Sequence, residues 1–207
     1  MEQQIYHDTA STTQIVDWAV DEFKKMKVDS FPLVIADEKL LEERRKLYRY
    51  RFKRKYMYQF INRIPKWLRF KRLVNAFYTI AEKEADKFLN GVVAETCNKE
   101  TDFQDSIILY PEHFYIYVKM FERRIVPFEV LVRDIIRHES RHTNQILEMR
   151  RVGINPSIAF SFEALQYKYG KGPLEEDAVE FQLGNEVAPI KEVIESYKIK
   201  MVEKGWN

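Results

Sequence analysis

The segment from Pro127 to Gly153 constrains the fold most, because it predicts one long uninterrupted helix. Pro127 suits the first helical position, where a missing backbone N–H removes no hydrogen bond. Glu129 suits the first turn and two arginines suit the last turn, since both complement the helix dipole. Gly153 can end the helix in a left-handed conformation. We therefore expect a helix over residues 127–151.

The other patterns alternate between helices and short strands, which predicts an α+β fold. Ser11 and Gln14 have the spacing of a capping box, so a first amphipathic helix is expected over residues 11–27. Further helices are expected at 37–62, 66–89, 173–184 and from 190 onward, and strands at 31–36, 106–110 and 113–118, with a loop between 154 and 172.

Composition excludes several classes of protein. Hydrophobic residues make up 45% of the chain, with only 6 Gly and 7 Pro, so a disordered or collagen-like chain is not expected. The single cysteine, Cys97, excludes an intramolecular disulfide framework and a thiolate zinc finger. The N-terminus lacks a signal-peptide profile, and no apolar run is long enough to cross a bilayer. These features predict a cytoplasmic protein with no transmembrane segment.

The predicted long helix carries the motif His138-Glu139-Ser140-Arg141-His142. Residues four apart lie one turn above each other on a helix, so both imidazoles can reach one metal ion. Glu139 lies about 100° around the helix from His138, where it is better placed to hold a metal-bound water than to bind the metal. This is the geometry of a zinc hydrolase.

A catalytic zinc needs a third protein ligand and an open position. No histidine follows His142, so the ligand must be acidic. Glu175 is the preferred candidate, because it precedes Ala178 by one turn and a small residue there lets this helix approach the histidine helix. The acidic candidates for the third ligand are Glu163, Glu175, Glu176, Asp177 and Glu180.

These motifs resemble the minigluzincins, which are short HExxH…ExxA zinc metallopeptidases of bacteria, phages and mobile elements. The resemblance is closest at residues 138–145, which are similar to H-E-x-R-H-x-x-Q, and at 173–181, which are similar to P-L-E-x-D-A-x-x-F. It covers roughly residues 103–184. The resemblance implies a small zincin-like sheet beside an HExxH active-site helix.

The resemblance also implies roles for individual residues. Zinc would be bound by His138, His142 and Glu175, and Glu139 would activate a zinc-bound water for peptide-bond hydrolysis. Asp177 is a candidate partner for a ligand histidine. Stabilising the oxyanion that forms during peptide hydrolysis also needs one hydrogen-bond donor besides zinc. The donor candidates are Tyr167, Tyr169 and His113.

Residues 39–72 are strongly basic. They hold 14 Lys and Arg against 2 Glu, a net charge of +12 in a chain whose total is +2. Aromatic residues alternate with these charges, as in surfaces that bind phosphates and stack bases. The alternatives are that the aromatic residues are core positions while the Lys and Arg form a solvated helix face, that the basic patch packs on the acidic remainder of the chain, or that it meets an anionic protein or membrane surface. The polyanion-binding candidates are Arg44, Arg45, Arg49, Arg51, Lys53, Arg54, Lys55, Arg69, Lys71 and Arg72.

Two functional hypotheses follow. The first is a zinc metallopeptidase, with a helical basic region at 1–91 and a zincin-like domain at 92–207, acting on a protein or peptide substrate. The alternative is a nucleic-acid-binding or protein-interaction protein on a zincin fold, in which the zinc site is structural or vestigial. They differ in whether Glu139→Gln abolishes hydrolysis.

Overall fold

The computed structural model describes residues 10–28, 30–100, 102, 104–120, 126–167 and 171–206, which form helices and one small sheet. The protein is α+β, as predicted. The helices are α1 Thr12–Met26, α2 Glu38–Gln59, α3 Lys71–Asn90, α4 His113–Met120, α5 Phe128–Arg151, α6 Pro156–Gln166, α7 Pro173–Gln182 and α8 Ile190–Glu203. The strands are β1 Leu33–Ile35, β2 Ala94–Cys97 and β3 Ser106–Leu109. Two 3-10 turns, Ile61–Arg63 and Lys66–Leu68, lie between α2 and α3.

The predicted ends of α1 and α5 are confirmed. Ser11 and Gln14 form the capping box at the start of α1, each side chain bonding the backbone N–H of the other residue. Helix α5 starts directly after Pro127, which is its N-cap instead of its first helical residue, and Gly153 follows its end with a φ of 77°. A residue with a Cβ is strained at that φ, so glycine is well suited to end the helix.

The sheet has the strand order β1-β3-β2. Strand β1 pairs with β3 in parallel, with Val34 opposite Ile108, and β2 pairs with β3 antiparallel, with Thr96 opposite Ile107. All four residues of β3 are buried, as expected for a central strand covered on both faces. Helix α5 packs against β2 as well as against α1 and α7.

The predicted strand at 113–118 is wrong, because these residues lie in α4. His113 N–H donates to Tyr110 O and Phe114 N–H donates to Pro111 O, so the chain turns helically at Pro111. His113 and Phe114 are buried whereas the next two residues are exposed, which is a helical rather than an alternating pattern. Tertiary packing here outweighs the β propensity of the aromatic and β-branched residues.

Three further elements differ from the prediction. Residues 156–166 form α6 instead of a loop, with Asn155 Oδ1 accepting from the N–H of Ser157 and Pro156 at the first helical position. Strand β2 was not predicted. Helix α3 begins at Lys71 rather than at residue 66, because the 3-10 turn before it breaks the helical path.

Contacts divide the chain into two compact units. The first unit comprises the described residues of 1–35, 94–109 and 123–207, and the second comprises those of 36–93 and 110–122. The predicted boundary at residue 91 lies near the end of the second unit's first segment. Residues 10–35 nevertheless group with the first unit, because β1 pairs with β3.

The core of the first unit lies where α5, α6, α7 and α8 meet. Tyr197 is buried there, and its hydroxyl donates to Ala159 O at 2.9 Å. In the parts of the chain that the structure describes, no helix combines the length and apolarity needed to span a membrane. The buried members of this core are Met149, Ala159, Phe162, Leu174, Ile194, Tyr197 and Met201.

Candidate metal centre

Helix α5 places the two histidines of the motif on one face. His138 Nε2 lies 3.1 Å from His142 Nε2, and the two rings meet nearly perpendicular, with an angle of 86° between their planes. Both side chains are largely buried, with 15% and 12% of their surfaces exposed. The same nitrogen of each ring therefore points towards one location.

Glu175 joins the histidines from α7. Its Oε1 lies 3.4 Å from His138 Nε2 and its Oε2 lies 3.3 Å from His142 Nε2. Among the described residues, these three form the one group whose spacing could hold a metal ion. We call them the His–His–Glu cluster. The structure thus brings together the three residues predicted as ligands from the sequence.

Helix α7 is positioned by a half-buried carboxyl group from α6. Glu163 Oε1 accepts from the N–H of Leu174 at 3.1 Å and from that of Glu175 at 3.0 Å, so it caps the helix that carries the cluster's carboxylate. A Cβ on Gly172 would overlap the Glu163 side chain, so only glycine allows this close approach. Ala178 is fully buried, as its predicted packing role requires.

A buried network of polar side chains orients His142. Gln145 Nε2 donates to Leu174 O and to Asp177 Oδ2, both at 2.8 Å, so its amide oxygen must face the histidine. That oxygen lies 2.8 Å from His142 Nδ1. A carbonyl oxygen can only accept, so His142 Nδ1 carries a proton and its Nε2 is left to face the cluster.

Asp177 is held in turn by an arginine of α5. Arg141 Nε and Nη2 donate to the two carboxylate oxygens of Asp177 at 2.7 and 2.8 Å, and Nη2 also donates to Ala188 O. Both side chains are only 8% exposed. Asp177, the predicted partner of a ligand histidine, therefore reaches His142 through Gln145 and not directly.

Glu139, the candidate general base, lies against strand β2. Thr96 Oγ1 lies 2.7 Å from Glu139 Oε2 and 2.9 Å from Glu139 O. The hydroxyl group of Thr96 has one proton and can donate it to either oxygen, of which the carboxylate oxygen is the stronger acceptor. Thr96 thus restricts the orientation of the Glu139 side chain on the strand side of α5.

The charges of the His–His–Glu cluster are strongly coupled. Burial and the neighbouring His142 lower the pKa of His138. Burial opposes protonation of His142, but its contact with Glu175 outweighs this and raises the pKa of His142 to about 9. The contact with His142 in turn lowers the pKa of Glu175. Without a metal, the cluster therefore holds a proton that metal binding would release.

The cluster fits a tetrahedral zinc site. Ligands about 2.0–2.1 Å from a tetrahedral ion lie about 3.3–3.4 Å from each other. The two Nε2 atoms are 3.1 Å apart, and each lies 3.3–3.4 Å from the nearer oxygen of Glu175, which is Oε1 for His138 and Oε2 for His142. Two imidazoles and one carboxylate are also a donor set that zinc prefers and that leaves a fourth position open.

The three oxyanion candidates fall in different places. Tyr167 packs edge-to-face on Phe162, with ring centroids 6.5 Å apart. His113 belongs to the second unit, where it is buried and its Nδ1 donates to Val92 O at 2.8 Å. Tyr169 lies outside the described residues. Their role in stabilising an oxyanion stays a prediction.

The ten polyanion-binding candidates separate into two groups. Arg44 is buried. Arg45, Arg49 and Lys53 pair with Glu42, Asp86 and Glu82, and Arg69 donates to the carbonyl oxygens of Asn62 and Ile64. Arg51 is half-buried over the ring of Tyr48. The exposed members are Arg54, Lys55, Lys71 and Arg72.

Sequence reasoning missed Gln145 and Thr96 as residues that shape the site. Gln145 had a detectable signal, since it stands three residues after His142 on the same helix and can reach its ring. Thr96 comes from β2, which was not predicted. Glu163 was a candidate metal ligand in the sequence, whereas the structure places its carboxyl group at the start of α7, where it accepts from two backbone N–H groups.

Comparisons with known proteins place this chain in no family. No family model matches it, and neither a curated protein nor a solved structure does so.

Proposed function

We propose that this chain is a zinc-dependent peptidase of the minigluzincin type. The observation that carries the proposal is the convergence of the cluster atoms of His138, His142 and Glu175, at separations that suit tetrahedral zinc. The small sheet beside α5 supports the zincin-like architecture that the resemblance implies.

The side chains around the cluster have distinct tasks in this proposal. A zinc ion held by the His–His–Glu cluster supplies Lewis-acid chemistry, by polarising the scissile carbonyl and making water more acidic. Glu139 accepts the proton of the attacking water and delivers it to the leaving amine. Thr96 keeps the Glu139 carboxylate oriented, and Gln145 keeps the Nε2 lone pair of His142 directed at the cluster.

Metal content tests the site itself. The 207-residue chain, purified without a histidine tag and with zinc supplied, should hold about one zinc per chain by mass spectrometry of metals. His142→Ala and Glu175→Ala should each lose most of it. Glu176→Ala is the matched control, because Glu176 is exposed on the same turn of α7 and should leave the zinc content unchanged. Absence of zinc from the unaltered protein would contradict the proposal.

Hydrolysis tests the reaction. A mixture of peptides of varied sequence, analysed by mass spectrometry, should be cleaved by the unaltered protein and not by Glu139→Gln. Loss of a general base should lower the rate by about 10²–10⁴-fold. The Glu139→Gln protein should still bind zinc, because Glu139 does not contact the cluster atoms in the proposed role. Equal cleavage by both proteins would contradict the assignment of Glu139.

A further inference from the structure

The second unit contains an antiparallel helix pair whose charges change along its length. We call α2, α3 and the connection between them the hairpin, and residues 54–72, where the chain reverses, the hairpin tip. No Asp or Glu occurs between Glu43 and Glu82, and the hairpin tip alone carries seven Lys and Arg. All the carboxylates of the hairpin therefore lie at the end away from its tip.

Several cations away from the tip pair with carboxylates within the hairpin. Arg49 donates to both carboxylate oxygens of Asp86 at 2.8 and 2.7 Å, and Lys53 pairs with Glu82. Cations of the hairpin tip have no carboxylate within ion-pair distance among the described residues. Six of them are exposed, namely Arg54, Lys55, Arg63, Lys66, Lys71 and Arg72.

Large aromatic side chains are exposed between these cations. Trp67 is 75% exposed, Tyr58 65% and Phe70 62%. They contribute little to packing within the hairpin, where Phe88 packs on two aromatic rings of α2 and Phe60 stacks on Phe77. The hairpin tip thus offers accessible ring faces beside unpaired positive charges.

We propose that the hairpin tip binds single-stranded nucleic acid. Unpaired cations neutralise phosphates and exposed rings stack on bases, and both features are needed where a strand is bound without sequence readout. Arg54 shows that charge and ring lie side by side here, since its guanidinium is 5.9 Å from the ring centroid of Tyr50.

The pattern of α2 favours a nucleic acid over an anionic membrane. A helix that lies in a membrane interface segregates its apolar residues onto one face. The exposed large hydrophobic side chains of α2 are instead Tyr50 and Tyr58, which both carry hydroxyl groups. Its cations also occur on the side that faces α3, as Arg49 and Lys53 show, so the helix lacks a continuous apolar face.

Fluorescence anisotropy with a labelled single-stranded DNA of mixed sequence tests the proposal on the 207-residue chain. Affinity should fall steeply with salt, with a logarithmic slope of about −4 if six cations contact phosphates. The triple variant Arg63→Gln, Lys66→Gln, Lys71→Gln should reduce that slope by about 2. Trp67→Ala should weaken binding by about tenfold or more at constant salt, because one stacked ring is lost.

A matched control removes the same charge from the first unit. Lys24→Gln, Lys200→Gln, Lys204→Gln changes three exposed lysines outside the hairpin and should leave affinity and slope unchanged. Since all the altered residues are exposed, thermal unfolding should be similar for both triple variants. Equal losses of DNA affinity in the two triple variants would mean that net charge alone drives binding and would contradict the proposed site.

Two further outcomes would overturn the proposal. One is the absence of DNA and RNA binding at low salt. The other is Trp67-dependent binding to vesicles containing phosphatidylserine, without binding to nucleic acid, which would identify a membrane surface instead. Since the assay does not involve hydrolysis, its result is independent of the proposed peptidase activity.

Discussion

Two ion pairs in this protein have nearly the same geometry but different surroundings. Arg141 and Asp177 form two hydrogen bonds of 2.7 and 2.8 Å beside the His–His–Glu cluster, with each side chain 8% exposed. Arg49 and Asp86 form two bonds of 2.8 and 2.7 Å in the hairpin, with 37% and 34% exposed. Bond lengths alone therefore cannot reveal what each pair does.

The two ion pairs differ in their exposure to water. Solvent screens the hairpin pair and can replace either partner, so little free energy depends on it. The pair beside the cluster is shielded, and removing one partner leaves a buried charge without compensation. The site region is thus organised by polar groups that depend on each other, whereas the hairpin has charges that are available to a partner.

Asp177→Ala should have the largest effect on stability. It leaves the Arg141 guanidinium buried without its carboxylate and removes an acceptor of Gln145. We expect the free energy of unfolding in urea to fall by about 3–5 kcal/mol. Glu176→Ala, the exposed neighbour, should change it by less than about 0.5 kcal/mol. If Asp177→Ala lowered the free energy of unfolding no more than Glu176→Ala does, the site region would not depend on its buried ion pair as we expect.

Gln145→Ala should have the next largest effect, and it should appear in metal binding. The substitution removes the acceptor of His142 Nδ1–H, which fixes the ring orientation. We expect zinc affinity, measured by competition with a chelating dye, to fall about 10- to 100-fold. Gln166→Ala, an exposed position on α6, is the control. Unchanged affinity would show that the network does not support the cluster.

Gly172→Ala tests how α7 is held. The new Cβ would displace the Glu163 carboxyl group, so Leu174 and Glu175 would lose the acceptor of their N–H groups. A loss of about 1–2 kcal/mol in unfolding free energy is expected, as for other helix caps. In a Glu163→Ala background the same substitution should cost much less, because the clash is gone. Equal costs in both backgrounds would exclude this mechanism.

Glu22 predicts an acid-dependent loss of stability. Burial disfavours its charge, but Lys25, Arg137 and Arg133 outweigh burial and lower the pKa of Glu22 below 4.5. A carboxyl group with a lower pKa in the folded state stabilises the protein above its unfolded pKa, and that contribution is lost as pH falls through the folded pKa. Urea unfolding measured below pH 4.5 should therefore show less pH dependence in Glu22→Gln than in the unaltered protein.

The hairpin pair should show the smallest effect. A double-mutant cycle with Arg49→Ala and Asp86→Ala should give a coupling energy of about 0.2–1 kcal/mol, which falls further with added salt. The same cycle on Arg141 and Asp177 should give a value several times larger. Similar coupling energies for the two pairs would mean that burial does not distinguish these regions.

The site could be predicted from the sequence where its parts lie on one helix. Helical spacing alone places His138 and His142 on one face of α5 and Glu139 to the side, since residues four apart overlap in any α-helix. Helix ends were also predictable, because Ser11, Pro127 and Gly153 act on the backbone within one turn.

Two predicted elements were wrong for different reasons. Residues 113–118 have high β propensity but form α4, so packing outweighs local preference there. Residues 156–166 form α6 instead of a loop, although Asn155 and Pro156 are a local signal for a helix start. Without α6, the role of Glu163 as an acceptor at the start of α7 could not be predicted.

The α+β class, the long helix and the spacing of its histidines follow from the sequence alone, because they depend on interactions between residues a few positions apart. Three contacts became evident only in the folded protein, namely Gln145 with Asp177, Thr96 with Glu139, and Arg49 with Asp86. These residues are 32, 43 and 37 positions apart, and no local pattern encodes which distant partners the packing of helices and strands brings together.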